Sequence, residues 1–271
     1  MATIELVPEP AMIKKVIQES RDVKSYVLKL DKSRKIAARP GQFVEVSVQG
    51  FGEATFAVTR TSKDGSDFTI SVKRMGHLTK MLHRAVRGDM VGVRGPYGNS
   101  FPVDAWKGKD IVIIGGGIGL APLRPIIDHI LQHREDYGKL EIIFGARTPE
   151  DILYKEDLGI WENDETIQLH TTIDVPFEGW NGRVGVVPVV VKDLALKPDS
   201  RVAVVCGPPI MIKFTVAALR ELKWSDDRIY TTLEMKMQCG IGQCGRCNIG
   251  EKFICKDGPV FSLDQIPEHA L

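Results

Sequence analysis

Charge of one sign is missing from this sequence. Its 271 residues carry 36 Lys and Arg against 35 Asp and Glu, a net charge of +1. No field of one sign exists to hold a nucleic-acid backbone or an anionic membrane surface, so nucleic acid is not an expected partner. A long apolar run is missing as well. The most apolar stretch, 111–131, is broken by Arg124 and Asp128 and contains a glycine cluster, short of the roughly 18 uninterrupted apolar residues of a membrane span. The first ten residues place Glu5, Pro8, Glu9 and Pro10 where a secretory signal needs a basic end and an apolar core, so none is expected. Internal repeats and low-complexity tracts are absent too. A disulfide framework is also lacking: the cysteines number five, and four of them crowd into 239–255. That crowding suits a metal or cluster site in a reducing compartment, and with it a cytoplasmic location. What remains is ordinary for a globular chain, 43% hydrophobic and 26% charged residues, long enough for about two domains at roughly 100 to 200 residues each.

Residues 1–104 alternate like strands. Ser25–Leu30, Gln42–Val48, Asp67–Lys73 and Met90–Arg94 place apolar residues at period two or in short β-branched runs, with Gly, Pro and Asp between them, which predicts an antiparallel barrel or sandwich. One helix is expected within it over Leu78–Val86, where Leu78, Met81, Leu82 and Ala85 recur at helical spacing. From 105 to 233 the pattern changes. Strand-like Ile111–Ile114, Glu141–Phe144, Ile167–Thr171, Val202–Cys206 and Ile229–Leu233 alternate with helical runs, chiefly Leu123–His133 and Ile210–Leu222. Strand and helix in turn predict crossover units and a parallel sheet of nucleotide-binding type. The remainder, 234–271, has no hydrophobic period of its own and must be organised by something other than burial.

The cysteines read Cys239-x4-Cys244-x2-Cys247-x7-Cys255, the plant-type ferredoxin spacing for a 2Fe-2S cluster. Thiolates that wrap a compact anionic cluster need a tightly turning backbone with its amides facing sulfur, and Gly240, Gly242 and Gly245 permit positive φ and close approach. Structural zinc is the alternative, because Cys244-x2-Cys247 alone is a common zinc pair. Zinc sites favour two pairs separated by an intervening loop, whereas three cysteines here fall within 239–247.

A second motif leaves the strand-like Asp110–Ile114 as Gly115-Gly-Gly117-Ile118-Gly119-Leu-Ala-Pro122 and runs into a helical pattern. In that setting the glycines and helix amides suit a dinucleotide pyrophosphate. Pro122 stands in place of the third glycine of the dehydrogenase fingerprint, where the first helical turn tolerates a missing N–H. The acid expected about twenty residues on is absent, and the second strand ends in Phe144-Gly-Ala-Arg147-Thr148. A glycine turn that only packs strand on helix is the alternative.

Together these motifs resemble the ferredoxin–NADP reductase superfamily. The likeness is carried by the β-rich first half, the G-x-G-x-x-P turn, Cys206-Gly207-Pro208-Pro209 after a late strand, the terminal cysteines, Pro40–Val46, Val93-Arg-Gly-Pro-Tyr-Gly-Asn99, Phe144–Tyr154 and Cys255–Phe261. Within the superfamily the chain is similar to proteins with a C-terminal 2Fe-2S site. These are the gamma (diaphorase) chain of cytoplasmic nickel–iron hydrogenases and sulfhydrogenases, its counterpart in anaerobic sulfite reductase, and the dihydroorotate dehydrogenase electron-transfer subunit.

The resemblance implies an FAD-binding β-barrel over 1–104, an NAD(P)-binding α/β domain over 105–233 and a cluster segment over 234–271. It puts the flavin against Thr55, Phe56, Ala57 and Val58, where Ala54 and Ala57 depart from the family's arginine and hydroxyl. Further flavin contacts fall on Ser71, Val72, Lys73, Gly76, Leu78 and Thr79, with Lys73 as charge partner or simply an exposed strand lysine. On the dinucleotide side it implies Gly115, Gly117, Ile118, Gly119 and Pro122 at the pyrophosphate, Arg147 and Thr148 near the ribose or phosphate, and Cys206, Gly207 and Pro208 beside the nicotinamide. Asp174, after the third strand, matches the acid of NADH-preferring relatives. Glu234 matches an acid near the flavin's reactive edge. The alternatives are a surface glutamate for Glu234 and an inert buried thiol for Cys206. The implied function is an NAD(P)H-oxidising oxidoreductase that passes electrons through FAD and a 2Fe-2S cluster to or from a partner redox subunit of a hetero-oligomer, hydrogenase-like, sulfite reductase-like or another low-potential enzyme. A dihydroorotate dehydrogenase subunit and a free-standing reductase are the rival readings.

Overall fold

The computed structural model describes residues 6–30 and 35–267. The chain forms two compact units. One holds the residues up to Gln18, Asp22–Phe101 and Leu233–Pro259, the other Glu19–Arg21, Pro102–Thr232 and the residues from Val260 on.

In the first unit six strands, β1 (Glu9–Gln18), β2 (Val23–Leu30), β3 (Phe43–Val48), β4 (Gly52–Thr61), β5 (Asp67–Lys73) and β6 (Met90–Tyr97), close an antiparallel barrel in the order β1-β2-β5-β4-β3-β6. Closure leaves no unpaired strand edge. Period-two alternation sends Val44, Val46, Val58, Ile70 and Val72 into a core with Tyr26, Leu28 and Phe68. The intervening residues of β3 and β4, including Glu45 and Thr55, therefore lie on the opposite face. The helix expected over Leu78–Val86 is shorter and begins earlier: α1 spans His77–Leu82. Donors from β2 end it, because the Tyr26 hydroxyl donates to the Leu82 carbonyl at 2.7 Å and Lys24 Nζ to that of His83 at 2.9 Å.

The second unit is built on β7 (Asp110–Gly116), β8 (Leu140–Ala146), β9 (Ile167–Ile173), β10 (Arg183–Val184), β11 (Arg201–Cys206) and β12 (Ile229–Thr232), with α2 (Arg124–Gln132), α3 (Lys155–Glu162), α4 (Val187–Asp193) and α5 (Pro209–Glu221). The strands are parallel in the order β10-β9-β8-β7-β11-β12. The chain thus moves outward from β7 and then returns to its other side, which makes β7 and β11 the topological switch point where open α/β sheets bind ligands. Val187, Val190 and Val191 of α4 and Ile212, Val216 and Leu219 of α5 bury against Val112, Ile114, Ala203 and Val205. Pro122 does not occupy the first turn of α2. A 3₁₀ turn over Gly117–Leu120 comes first, the helix is capped at Leu123, and Pro125 takes the early position that needs no N–H.

The cysteine-bearing segment leaves the sheet after β12, forms the hairpin β13 (Asn248–Ile249) and β14 (Lys252–Phe253) and the single turn α6 (Ile254–Asp257), and returns as β15 (Val260–Ser262). β15 runs antiparallel to β12 and adds the seventh strand of the sheet.

Candidate cofactor and cluster sites

On the barrel, β4 presents Thr55 and Ala57 on one side and packs Ala54, Phe56 and Val58 toward the core. Two small outward side chains in succession leave room for a planar ring against the strand, which fits a flavin. The Thr55 hydroxyl donates to Glu45 Oε1 at 2.8 Å. Val58, Val72 and Leu78 are buried in the core, so only their main chain can meet a cofactor. Ser71 shares a hydrogen bond with Ser25 at 2.8 Å. Lys73 Nζ lies 3.7 Å from Asp22. At the start of α1 the Thr79 hydroxyl accepts from the Met75 and Gly76 amides at 3.0 and 2.9 Å, and a Cβ at Gly76 would meet no atom within 4 Å.

In the sheet unit the predicted residues converge at the carboxyl ends of adjacent strands. Gly115 of β7 pairs with Cys206 of β11. A Cβ on Gly119 would lie 2.4 Å from the Cys206 carbonyl oxygen and 2.5 Å from Gly207 Cα, so the glycine turn and the cysteine turn touch backbone to backbone and only glycine fits between them. Gly117, at φ +52°, has open space where its Cβ would be, the approach a pyrophosphate needs. Arg147 and Thr148 follow β8. Asp174 follows β9 with its amide donating to the Ala146 carbonyl at 3.0 Å. Partial burial holds the Asp174 carboxyl above its ordinary range, and the neighbouring Arg147 works against that shift. Thr148 donates to Asp151 at 3.1 Å. Cys206 is buried, with its sulfur 3.0 Å from the Thr232 hydroxyl. Glu234 is exposed and belongs to the barrel unit, whereas Cys206 belongs to the sheet unit.

The four clustered cysteines share one loop and are tied by main-chain donors to sulfur: the Cys244 amide faces Cys239 Sγ and the Cys255 amide donates to Cys247 Sγ at 3.5 Å. Cys247 and Cys255 are buried, Cys244 is exposed and Cys239 is intermediate. Gly240, Gly242 and Gly245 all adopt positive φ, and the backbone they permit turns its amides onto sulfur. Ile241, Gln243 and Cys244 donate to Cys239 Sγ at 3.5, 3.3 and 3.4 Å, and Gly242 donates to Cys255 Sγ at 3.0 Å. Against partial burial, these donors bring the Cys239 thiol down to about 6. Burial and the adjacent Cys247 push the Cys255 thiol up to about 12. A binuclear cluster takes two thiolates on each iron and is stabilised by amides on its sulfurs, so this donor set fits a 2Fe-2S cluster.

The sequence alone points to no role for Thr232, which orients the Cys206 sulfur, nor for Arg94, Tyr97 and Asn99, which meet the cysteine segment. The one signal for these three is the Val93–Asn99 motif itself.

A flavin-binding barrel, a dinucleotide-binding parallel sheet and a four-thiolate cluster loop define an iron–sulfur flavoprotein oxidoreductase of the ferredoxin–NADP reductase superfamily. Residues 10–101 match the oxidoreductase FAD-binding domain, 113–217 the oxidoreductase NAD-binding domain, and 234–267 the iron-sulfur cluster binding domain of dihydroorotate dehydrogenase B. The chain is 39% identical to sulfhydrogenase 1 subunit gamma of Pyrococcus furiosus over 84% of its own length and 80% of that protein's. It is 32% identical to the probable dihydroorotate dehydrogenase B (NAD(+)) electron transfer subunit of Methanothermobacter thermautotrophicus, over 94% and 89% respectively. A solved structure of an NADH-dependent reduced ferredoxin-NADP oxidoreductase that carries out flavin-based electron bifurcation superposes with a TM-score of 0.77 at 28% identity, covering 98% of this chain and 91% of that one. The chain belongs to the family of electron-transfer subunits that unites the sulfhydrogenase gamma and dihydroorotate dehydrogenase B proteins. Among the described residues no helix is long and apolar enough to cross a membrane.

Proposed function

We propose that this chain is the NADH-oxidising subunit of a cytoplasmic hetero-oligomeric redox enzyme and exchanges electrons with a partner subunit of hydrogenase-like or other low-potential type. When bound, the dinucleotide would supply hydride chemistry, the flavin the exchange between two-electron and one-electron chemistry, and the cluster single-electron carriage. The chain's own residues bind, orient and shield. Gly115, Gly117, Ile118, Gly119 and Pro122 hold the dinucleotide pyrophosphate by main-chain approach, and Arg147 and Thr148 flank the ribose. Cys206, fixed by Thr232 and followed by Gly207 and Pro208, forms the wall beside the nicotinamide. Asp174 accepts from ribose hydroxyls and repels a 2′-phosphate. On the barrel, the β4 residues Thr55–Val58 back the flavin, while Ser71–Lys73 and Gly76–Thr79 hold its phosphate end. Glu234 stands at the entry to the cluster loop. Cys239, Cys244, Cys247 and Cys255 hold the cluster.

The observation that carries this reading is the set of backbone amides aimed at the sulfurs of Cys239, Cys247 and Cys255, on a chain that also carries the flavin and dinucleotide folds. Anaerobic purification tests it. Iron and acid-labile sulfide near two per chain, FAD released on denaturation, and bleaching of the flavin band by NADH are expected. A colourless, iron-free protein overturns it. Affinity purification from native extract is expected to bring down a larger metalloenzyme subunit, and a free chain alone would point to an independent reductase.

A further inference from the structure

Resting on the assignment of the four cysteines as cluster ligands, we propose that Arg94 is the positioning residue of the iron–sulfur loop: it fixes the backbone around Cys239 so that the loop's amides face sulfur. From Leu233 to Cys247 the chain has neither helix nor strand, so its carbonyls must find partners elsewhere. Arg94, on β6, supplies them. Its guanidinium is buried, at 5% exposure. Nε and Nη2 grip the Glu53 carboxylate at 2.8 and 2.5 Å. Nη1 donates to the Cys239 carbonyl at 2.5 Å and Nη2 also to that of Gln238 at 2.5 Å. With both carbonyls turned toward the guanidinium, the peptides that follow present the Ile241, Gln243 and Cys244 amides to Cys239 Sγ.

The rest of the same strip meets the loop at both ends. A Cβ on Gly240 would lie 2.8 Å from the Tyr97 ring, and one on Gly98 2.7 Å from the Gly258 carbonyl. The Asn99 amide donates to the Gly258 carbonyl at 2.6 Å, and its side chain to that of Asp257 at 2.9 Å. One short stretch, Arg94–Asn99, thus seats the loop before its first cysteine and after its last. Arginine is required at its head. A planar fork can hold a carboxylate on one edge and two carbonyls on the other, which a lysine's single point of charge cannot. Because amides on the sulfurs favour the more negative reduced cluster, loosening this seat lowers the cluster's midpoint potential.

The test compares the anaerobically purified full chain with Arg94→Lys, Arg94→Gln and Glu53→Gln. Flavin per chain reports the barrel's integrity. Iron release to a chelator, the electron paramagnetic resonance spectrum of the reduced protein and the cluster's midpoint potential report the loop. Both Arg94 variants are expected to keep flavin, release iron about tenfold faster or more, in line with the roughly 10- to 100-fold cost of losing an outer partner of a metal ligand, and show shifted g values with a lower potential. Glu53→Gln is expected to move the same readouts less, and it remains informative if an Arg94 variant fails to accumulate. Wild-type release, spectrum and potential in Arg94→Lys would mean that charge alone matters and overturns the proposal. So does loss of flavin along with the cluster in all three variants, which would make Arg94 a general fold residue. A wild-type protein without iron and sulfide sinks the cluster assignment itself, a separate outcome.

Discussion

Replacing Glu45 with glutamine is expected to remove a loss of barrel-unit stability that develops between acid and neutral pH. Glu45 is 1% exposed and sits on β3 opposite Arg94 of β6 and Thr55 of β4. Burial pushes its carboxyl up to about 7; the Thr55 hydroxyl and Arg94 only partly oppose that rise, and Glu53 and Cys239 add to it. In the unfolded chain the same group titrates near its ordinary value of 4.5. Below about pH 4.5 both states hold the proton and the group contributes no pH dependence. As pH rises from 4.5 toward 7 the unfolded chain releases its proton first, so the folded state binds more protons and stability falls with pH. Above about 7 the loss is complete. At about 1.4 kcal/mol per pH unit, the interval from 4.5 to about 7 amounts to a loss of about 3 kcal/mol. Glutamine keeps the shape and can still accept from Thr55, but it does not titrate. Urea unfolding of the flavin-loaded chain, followed by flavin fluorescence at fixed ionic strength from about pH 4 to about pH 8, reads the effect. The stability of Glu45→Gln relative to wild type should rise by about 3 kcal/mol across that range. Parallel pH profiles would refute the reasoning and mean that water or Arg94 keeps the carboxylate ionised in the fold.

Cys244→Ser should abolish the cluster's absorbance and paramagnetic signal while NADH still bleaches the flavin band, and loss of the bleaching would show that the cluster loop supports the flavin site as well. Asp174→Ser should lower the ratio of kcat/KM for NADH over NADPH, measured with a dye acceptor, on the order of tenfold or more, the worth of one charge-assisted hydrogen bond, and an unchanged ratio removes Asp174 from coenzyme choice. Gly119→Ala forces a Cβ to within 2.4 Å of the Cys206 carbonyl, so thermal unfolding should show a loss of about 1–3 kcal/mol together with a raised KM for NADH, and wild-type values for both would mean that the two turns separate without cost.

Regular alternation made most of the barrel legible. Asp67–Lys73 is a strand with the expected bounds, and Met90–Arg94 extends to Tyr97. β1 was hidden because Pro8 and Pro10 precede or open it and a register shift between Ile13 and Lys15 breaks its period. In the sheet the buried runs of β7, β8 and β11 stand out, since strands covered on both faces read as unbroken apolar stretches. α4 did not, because Val187-Pro-Val-Val-Val-Lys-Asp193 has the β-branched composition of a strand. Val187, Val190 and Val191 are nevertheless spaced for one helical face, and packing against α5 and the sheet decides in favour of that spacing. The cluster ligands were legible because metal chemistry fixes spacing in the sequence itself. Arg94 was visible only as a letter of the Val93–Asn99 motif, without a role, because its partners Gln238 and Cys239 are brought to it only by the tertiary fold.

The loop's two ends explain how a segment without a core keeps a fixed shape. Thr232, the last residue of β12, is the antiparallel partner of Val260 in β15, and the Leu233 amide donates to the Pro259 carbonyl at 2.9 Å. The cysteine segment is therefore a closed excursion whose ends meet, and closing its base in the folded sheet removes part of the chain freedom that a free tail of the same length would retain. What closure leaves undetermined, the direction in which each peptide points, is settled by Arg94 and Asn99 on β6 and the turn after it. The same face of the barrel carries Glu45 and Thr55, so a continuous row of contacts runs from β4, the strand proposed to back the flavin, through Thr55 and Glu45 to Arg94 and the Cys239 carbonyl. Electron transfer between two cofactors depends on their being held at one separation, and under the proposed sites this row of contacts on neighbouring strands, together with the loop's own glycines, would hold it.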